Sequence, residues 1–569
     1  MPRYSCSDIA NAALSKCSKR AKTLTSFDSQ TKQVSIMPKK RKPRPLVMGA
    51  ETELALSGKI SGVPVRPEEL LGPLLHATQQ FRHLPSAEAS GGIFLEFGGR
   101  FYGEINGHPE YGTPECRTPR QLAIYDRVGE RLAADAAQRV HHDSGGRLEL
   151  TLTKSNLCPV NPDSVTHGNH ESYTCWVSLG AAAEALIPHL VTRLPYAGSG
   201  CLSGAPGGMG FELSQRARHL TRITSESTTG ERGIFCTRIR YERDRSSMGW
   251  KRAHLIGKDS QRAPLGSFLT FGTTALLFWI LNHGGQVGKG LALSNAVEAL
   301  QAVSQNPSLD KTLQLADGRT MTPIEIQLVY REECNEFAKT HELPDWGAEV
   351  LERWQSTLAI LADNPLDLAG QLDAYTKLWI YHHELDRAQA TWTDVRIGLE
   401  LLKRMRANSH PLLVQALIAD NPEILQAQYR SAFDEAKRAL AANGDEAYQR
   451  LCLAVRMQAL DFEYQKLGGL FDELARDGLV DTSIAPDEAV TEAMTQPPAD
   501  TRAAARGALI REHHGVEGWS AAWDRVIGAK AEQMFLLDDP FSPKARPTPW
   551  PVAKAMQVAT RIRAAVRHG

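Results

Sequence analysis

No CxxC pair occurs in this chain, and its nine cysteines (Cys6, Cys17, Cys116, Cys158, Cys175, Cys201, Cys236, Cys334 and Cys452) follow no regular spacing. That pattern argues against a zinc ribbon or a disulfide framework, and the reduced thiols of a cytoplasmic protein are expected instead. Neither sign of charge is in excess: 65 Lys+Arg balance 65 Asp+Glu. Net charge therefore makes no case for nucleic acid or a membrane surface as partner. Long hydrophobic runs are missing too. The most apolar stretch, near Leu269–Leu281, is broken by Gly272 and three threonines, and is not expected to span a bilayer. There is no GxxxxGKS/T motif and no GxGxxG after a strand-like run, which excludes a P-loop and a Rossmann fingerprint. The first 45 residues have no apolar core, so no secretory leader is expected there.

What the chain does have is carboxylate on strand-like sequence. Arg100–Glu115 packs Glu104, Glu110, Glu115, His108, Tyr102 and Tyr111 behind the apolar run Gly92–Phe97. Each such group costs free energy to desolvate unless it is paired or bound to a metal. A second acid-bearing strand, Leu46–Leu56, carries Glu51 and Glu53. Residues two apart on a strand share a face, so Glu51 pairs in direction with Glu53, and Tyr102 with Arg100 and Glu104. If the strands pair, one sheet face gathers oxygen ligands. Such ligands suit Mg²⁺ or Mn²⁺, and Mg²⁺ commonly arrives with nucleotide phosphates.

At 569 residues and 42% apolar content the chain can bury a large core, and more than one. Residues 1–45 carry eleven Lys/Arg against two acids and read as a flexible basic arm. From 46 to about 285, strand-like runs such as Leu148–Lys154 and Glu171–Leu179 alternate with helix-like ones at Ala181–Leu194 and Ser267–Leu281. This predicts an α+β domain on a mostly antiparallel sheet. Beyond 290 the pattern turns helical, at Ile324–Lys339, Asp345–Ala362, Leu366–Arg404 and Pro411–Asn443. The adjacent histidine pairs at 141, 382 and 513 are expected on the surface. The six glycines between Gly198 and Gly210 read as a connector.

The motifs Met48-Gly-Ala-Glu-Thr-Glu53, Gly99–Cys116, Asn169-His-Glu-Ser-Tyr173, Leu213–His219, Thr237-Arg238, His254–Ser260 and Phe271–Leu276 resemble the Pup–protein ligase and depupylase family of glutamine-synthetase-like carboxylate–amine ligases. Leu460–Tyr464, Gly469–Leu474, Gln496-Pro-Pro498, Trp523 and Asp539-Pro-Phe541 continue the resemblance in order. It implies a glutamine-synthetase-like catalytic domain over 46–450 with a helical insertion at about 385–450. A smaller helix-rich C-terminal domain over 451–545 and a basic tail over 546–569 would follow. It also implies ATP and Mg²⁺ as cofactors, and as partners the small modifier Pup and lysine-bearing target proteins. Glu51, Tyr102 and Glu110 match the family's metal positions, with His170 and His254 beside them. Arg100, Thr113, Trp523 and Arg238 match nucleotide positions, and the family's catalytic aspartate falls on Glu104. The depupylase branch carries an extra loop between the first two acid-bearing strands. Here Glu51 to Glu104 spans 104 − 51 = 53 positions, which resembles the ligase branch. The same carboxylate chemistry would also serve a depupylase, a deamidase or a divergent small-molecule ligase.

Overall fold

Alternation of small or apolar residues with polar ones along Met48–Glu53 leaves Met48, Ala50 and Thr52 buried and the residues between them half-buried, the signature of a strand with one packed and one open face. This strand is β1. The computed structural model describes residues 44–104, 107–157, 167–204, 208–228, 230–238, 249–408, 445–530 and 533–548. The rest of the arm and the tail, and 409–444 of the expected insertion, lie outside the described residues. The other strands of the same sheet are β2 (His83–Pro85), β3 (Ile93–Leu95), β4 (Arg100–Gly103), β5 (Pro109–Gly112), β6 (Asn169–Cys175), β7 (Arg222–Ser225), β8 (Gly233–Cys236) and β9 (Lys251–Leu255). Their order is β7-β8-β9-β6-β1-β5-β4-β3-β2, and every pair is antiparallel except β7 with β8.

Three helices cover the packed face. Pro119–Asp143 starts at Thr118, whose side chain accepts the Gln121 N–H, with proline at the first helical turn. Leu179–Thr192 starts on Ser178 in the same way. Pro264–Asn282 is long and apolar enough to cross a membrane by length and composition alone, yet all of it except Trp279 is buried as the central core helix. The fold is thus α+β, as the alternation of strand-like and helix-like segments predicts.

The expected continuous helix over Leu366–Arg404 is broken. A 3₁₀ turn at Pro365–Leu368, a helix at Asp373–Ala388 and a helix at Trp392–Asn408 replace it. Gly370 at φ +80° and Gln389 at φ +50° make the breaks, because left-handed backbone cannot continue a right-handed helix. The helix Asp445–Gln465 packs along Trp392–Asn408. After the helix Arg502–His513 comes a four-stranded antiparallel sheet of Ser520–Ala521, Arg525–Ile527, Met534–Leu536 and Arg546–Pro547. These strands are too short for a period-2 pattern to be legible. Ala521 and Val526 of these strands, with the flanking Trp519 and Leu537, share a core with Leu84 of β2 and Phe94 of β3, which seats this segment on one edge of the large sheet.

Candidate active site

Register brings the acid-bearing strands together. Glu51 lies opposite His170 on β6 and Gly112 on β5, Glu53 opposite Glu110, and Tyr102 opposite Glu110. His254 on β9 lies opposite Ser172. All of these side chains rise from the open face of the sheet.

At the centre, one ligand atom each from Glu51, His170 and His254 lie within 4.8 Å of one another. His170 Nδ1 is 3.5 Å from Glu51 Oε2, and the two imidazoles meet edge to face at 5.0 Å. Arg252 donates to Glu51 Oε1 at 2.9 Å and to His254 Nδ1 at 3.0 Å. Burial alone would raise the Glu51 pKa. Arg252, the His170 hydrogen bond and the nearby imidazoles outweigh it and hold the carboxyl well below its ordinary range. His254 is pushed well down, by burial and then by Arg252, so its imidazole is neutral and fit to ligate a metal.

Glu110 behaves in the opposite way. Burial, then the charges of Glu51 and Glu53, raise its pKa well above the ordinary carboxylate value, and Glu104 adds to the effect. The cross-strand phenol of Tyr102 is likewise pushed well up, by burial and by Glu110. Glu53 is held low by His170 and by the Gly168 N–H, which donates to Oε2 at 2.7 Å, against the effect of its own burial. Three carboxylates thus converge, and Glu110 is shifted upward by burial and by the charges of the other two. A divalent cation among Glu51, Glu110, His170 and His254 would supply the opposing positive charge, and the hard carboxylate oxygens and imidazole nitrogens suit one.

Toward the other end of the face, the Arg100 guanidinium lies 4.0 Å from the Tyr102 ring centroid and donates to Ser90 Oγ and the Gly91 carbonyl. Trp523 arrives from the C-terminal segment. Its ring covers Gly112 so closely that a Cβ there would stand 3.1 Å from Cζ2. It meets Phe94 edge to face at 5.0 Å. Thr113 is placed differently. It is buried, and its hydroxyl accepts the Ala50 N–H at 3.0 Å, tying β1 to β5. Glu104 sits at the mouth of the β4–β5 turn, where its N–H donates to the His108 carbonyl; its neighbours 105–106 lie outside the described residues. Arg238 contributes positive charge at His254. Glu115 faces elsewhere, into an ion pair with Arg502 and Arg506.

Sequence reasoning missed Arg252 and Arg506. Arg252 was findable, since it stands two residues before His254 on a strand and so shares its face. Arg506 gave a weaker signal, one turn after Arg502 in an alanine-rich helix.

A family model described as Pup-ligase protein matches residues 47–420 and 435–527. Among curated proteins, the chain is similar to a Pup–protein ligase of Acidimicrobium ferrooxidans, 30% identical over 490 residues that span 84% of this chain and 92% of that one. It is similar also to a depupylase of Acidothermus cellulolyticus, 29% identical over 76% of this chain and 75% of that one. Among solved structures, the complex between the prokaryotic ubiquitin-like protein Pup and its ligase PafA matches with a TM-score of 0.65 at 22% identity, over 92% of this chain and 94% of that one, a likeness of fold. With a family model matched along most of its length, this chain belongs to the Pup-ligase protein family.

Proposed function

We propose that the chain is an ATP- and Mg²⁺-dependent ligase that joins the side-chain carboxylate of a C-terminal glutamate on Pup to a lysine amine of a target protein. The observation that carries this reading is one open sheet face holding Glu51, Glu53, Glu110, His170 and His254, with Trp523 laid over Gly112 at its edge. The relatives' names supply the substrate, and the need for ATP suits a cytoplasmic protein. A carboxylate is a poor electrophile, so it first takes the γ-phosphoryl of ATP, releasing ADP. The lysine nitrogen then attacks the glutamyl carbon, phosphate leaves, and the ammonium proton passes to a base. Phosphoryl transfer needs positioning and positive charge more than covalent help. Bound Mg²⁺ would supply that charge, held by Glu51 and Glu110 with Tyr102, His170 and His254 around it. Arg100 and Arg238 would serve the nucleotide, Trp523 would cover it, and the buried Thr113 would act on that end of the face by tying β1 to β5. Glu104 is the base, since a carboxylate can hold the lysine ammonium and accept its proton.

Relatives named depupylase match about as well as those named ligase. The interval of 104 − 51 = 53 positions between Glu51 and Glu104 supports the ligase reading. Incubating the purified chain with glutamate-ending Pup, a target protein, ATP and Mg²⁺ is expected to give a conjugate heavier by one Pup. If the chain instead dismantles preformed conjugate and forms none, the depupylase reading replaces this one. Glu104→Gln is expected to slow conjugation about 10²- to 10⁴-fold while ATP still binds. Undiminished conjugation would remove Glu104 from the role of base.

A further inference from the structure

The packed face of the sheet carries a polar strut directly behind the Glu51–His170 pair. Thr52 and Asn169 are register partners, one residue along from Glu51 and His170. Asn169 Nδ2 donates to Thr52 Oγ1 at 3.0 Å and to Ser260 Oγ at 3.2 Å. Thr52 Oγ1 in turn lies 3.4 Å from Asp126 Oδ1, and Asp126 is fixed by Lys154 at 2.7 Å. The other end of the strut is Lys258. Its ammonium is 1% exposed, donates to Asn169 Oδ1 at 3.0 Å and stands 4.9 Å from the Phe271 ring centroid.

A lysine buried this deeply is costly, and this one makes no ion pair within salt-bridge distance among the described residues. It faces Asp126 from the helix Pro119–Asp143, Lys154, Glu171 from β6, and Arg193 at the end of the helix Leu179–Thr192. Burial is the dominant influence, and it lowers the pKa to about 8. The retained contact is the one to Asn169. By holding Oδ1, Lys258 fixes which way the Asn169 amide points, and only that orientation lets Nδ2 reach Thr52.

We infer that Lys258 is a positioning residue for the cation cluster: through Asn169 and Thr52 it sets from behind the sheet the spacing of Glu51, Glu53 and His170. This rests on the reading of Glu51, His170 and His254 as a metal site. Groups that orient metal ligands typically account for 10- to 100-fold in affinity.

The test is Mn²⁺ binding to the full chain, read by electron paramagnetic resonance without nucleotide. Glu51→Gln is the control on the cluster, and its binding unchanged from wild type would overturn the metal reading itself. Lys258→Met, close in length and apolar, is expected to weaken Mn²⁺ binding at least tenfold. Lys258→Gln keeps an N–H donor toward Asn169 and is expected to restore most of the lost affinity, which a merely space-filling role would not predict. Should Lys258→Met fail to fold, Thr52→Val breaks the strut at its other end with little change of shape and is expected to give the same loss. If Glu51→Gln abolishes binding while folded Lys258→Met and Thr52→Val stay within twofold of wild type, the strut has no such role.

Discussion

Arg506 is the residue on which the C-terminal segment turns, and Arg506→Met tests that. Its guanidinium is fully buried. It pairs with Glu115 Oε2, donates to the Trp523 carbonyl at 2.7 Å and to the Gly98 carbonyl at 3.1 Å, and lies 5.0 Å from the Trp523 ring centroid. One side chain thus joins the loop before β4, the end of the β5 stretch and the residue that covers Gly112. Removing one partner of a buried pair costs about 3–5 kcal/mol, because the other charge stays buried. Here Arg502 still holds Glu115 Oε1 at 2.6 Å, so the lower end applies, about 3 kcal/mol, or roughly a hundredfold in a local opening equilibrium. Hydrogen exchange of the amides between 520 and 536 reads that equilibrium directly, and their protection should fall about that much. Because the pair is shielded from solvent, 1 M salt should change the loss little. In turnover, the KM for ATP should rise more than kcat falls, since Trp523 would lose its seat while Glu104 and the cation cluster keep theirs. Saturating ATP should restore part of the lost protection by mass action. Protection within threefold of wild type, together with an unchanged KM, would refute the clamp.

Two further perturbations separate the parts of the face. Glu110→Gln removes a carboxyl whose folded pKa lies well above its unfolded value. A raised acid favours folding below its unfolded pKa of about 4.3 and loses that contribution as pH climbs toward the folded value. Without divalent cation, Glu110→Gln should therefore melt above wild type at neutral pH and show a flatter pH dependence, and added Mn²⁺ should raise the melting temperature of wild type only. Identical melting curves with and without Mn²⁺ for both proteins would contradict this. Gly112→Ala places a methyl 3.1 Å from Trp523 Cζ2, tight enough to displace the indole by a few tenths of an ångström. It should weaken ATP binding several-fold, measured by quenching of tryptophan fluorescence, and leave Mn²⁺ affinity unchanged; a loss of both would mean that the glycine shapes β5 itself.

How much of this was legible from sequence follows from range. Period-2 alternation put Glu51 with Glu53, and Arg100 with Tyr102, on single faces, and the register joins those faces through Glu110. The helices at 264–282, 323–338 and 347–363 lie within a few residues of their apolar patterns. The break at Gly370 and Gln389 escaped because a left-handed residue other than a flagged turn glycine leaves no mark on apolar spacing. The sheet of Ser520–Pro547 escaped because strands of two or three residues have no period. Trp523 could be assigned to the site only by resemblance, since no local pattern says which distant strand an indole will cover. The strut of Thr52, Asn169 and Lys258 was illegible for a related reason: a lysine four residues after a site histidine looks like a surface charge until the packed face is known.

The two faces of the sheet are built on opposite principles, and that difference explains the site. Behind the sheet, most buried charges among the described residues are paired at close range: Lys154 bonds both Asp126 and Glu130, Arg193 grips Glu171, and Arg262 reaches Glu130 and Asp472, while Lys258 is held by the Asn169 amide instead. On the open face, Glu51, Glu53 and Glu110 crowd together, and burial and then the other two charges push the Glu110 pKa well up. A carboxylate cluster of this kind is under strain to spread apart, because like charges repel. It cannot do so here, since Thr52 and Asn169 pin the two strands from the rear and Thr113 bonds β1 to β5. The packed face therefore holds the open one in an arrangement that added positive charge would relax. A divalent cation bound as proposed would complete the electrostatics of this face, and cation-dependent stability should be confined to the strands that carry Glu51, Glu110 and His170.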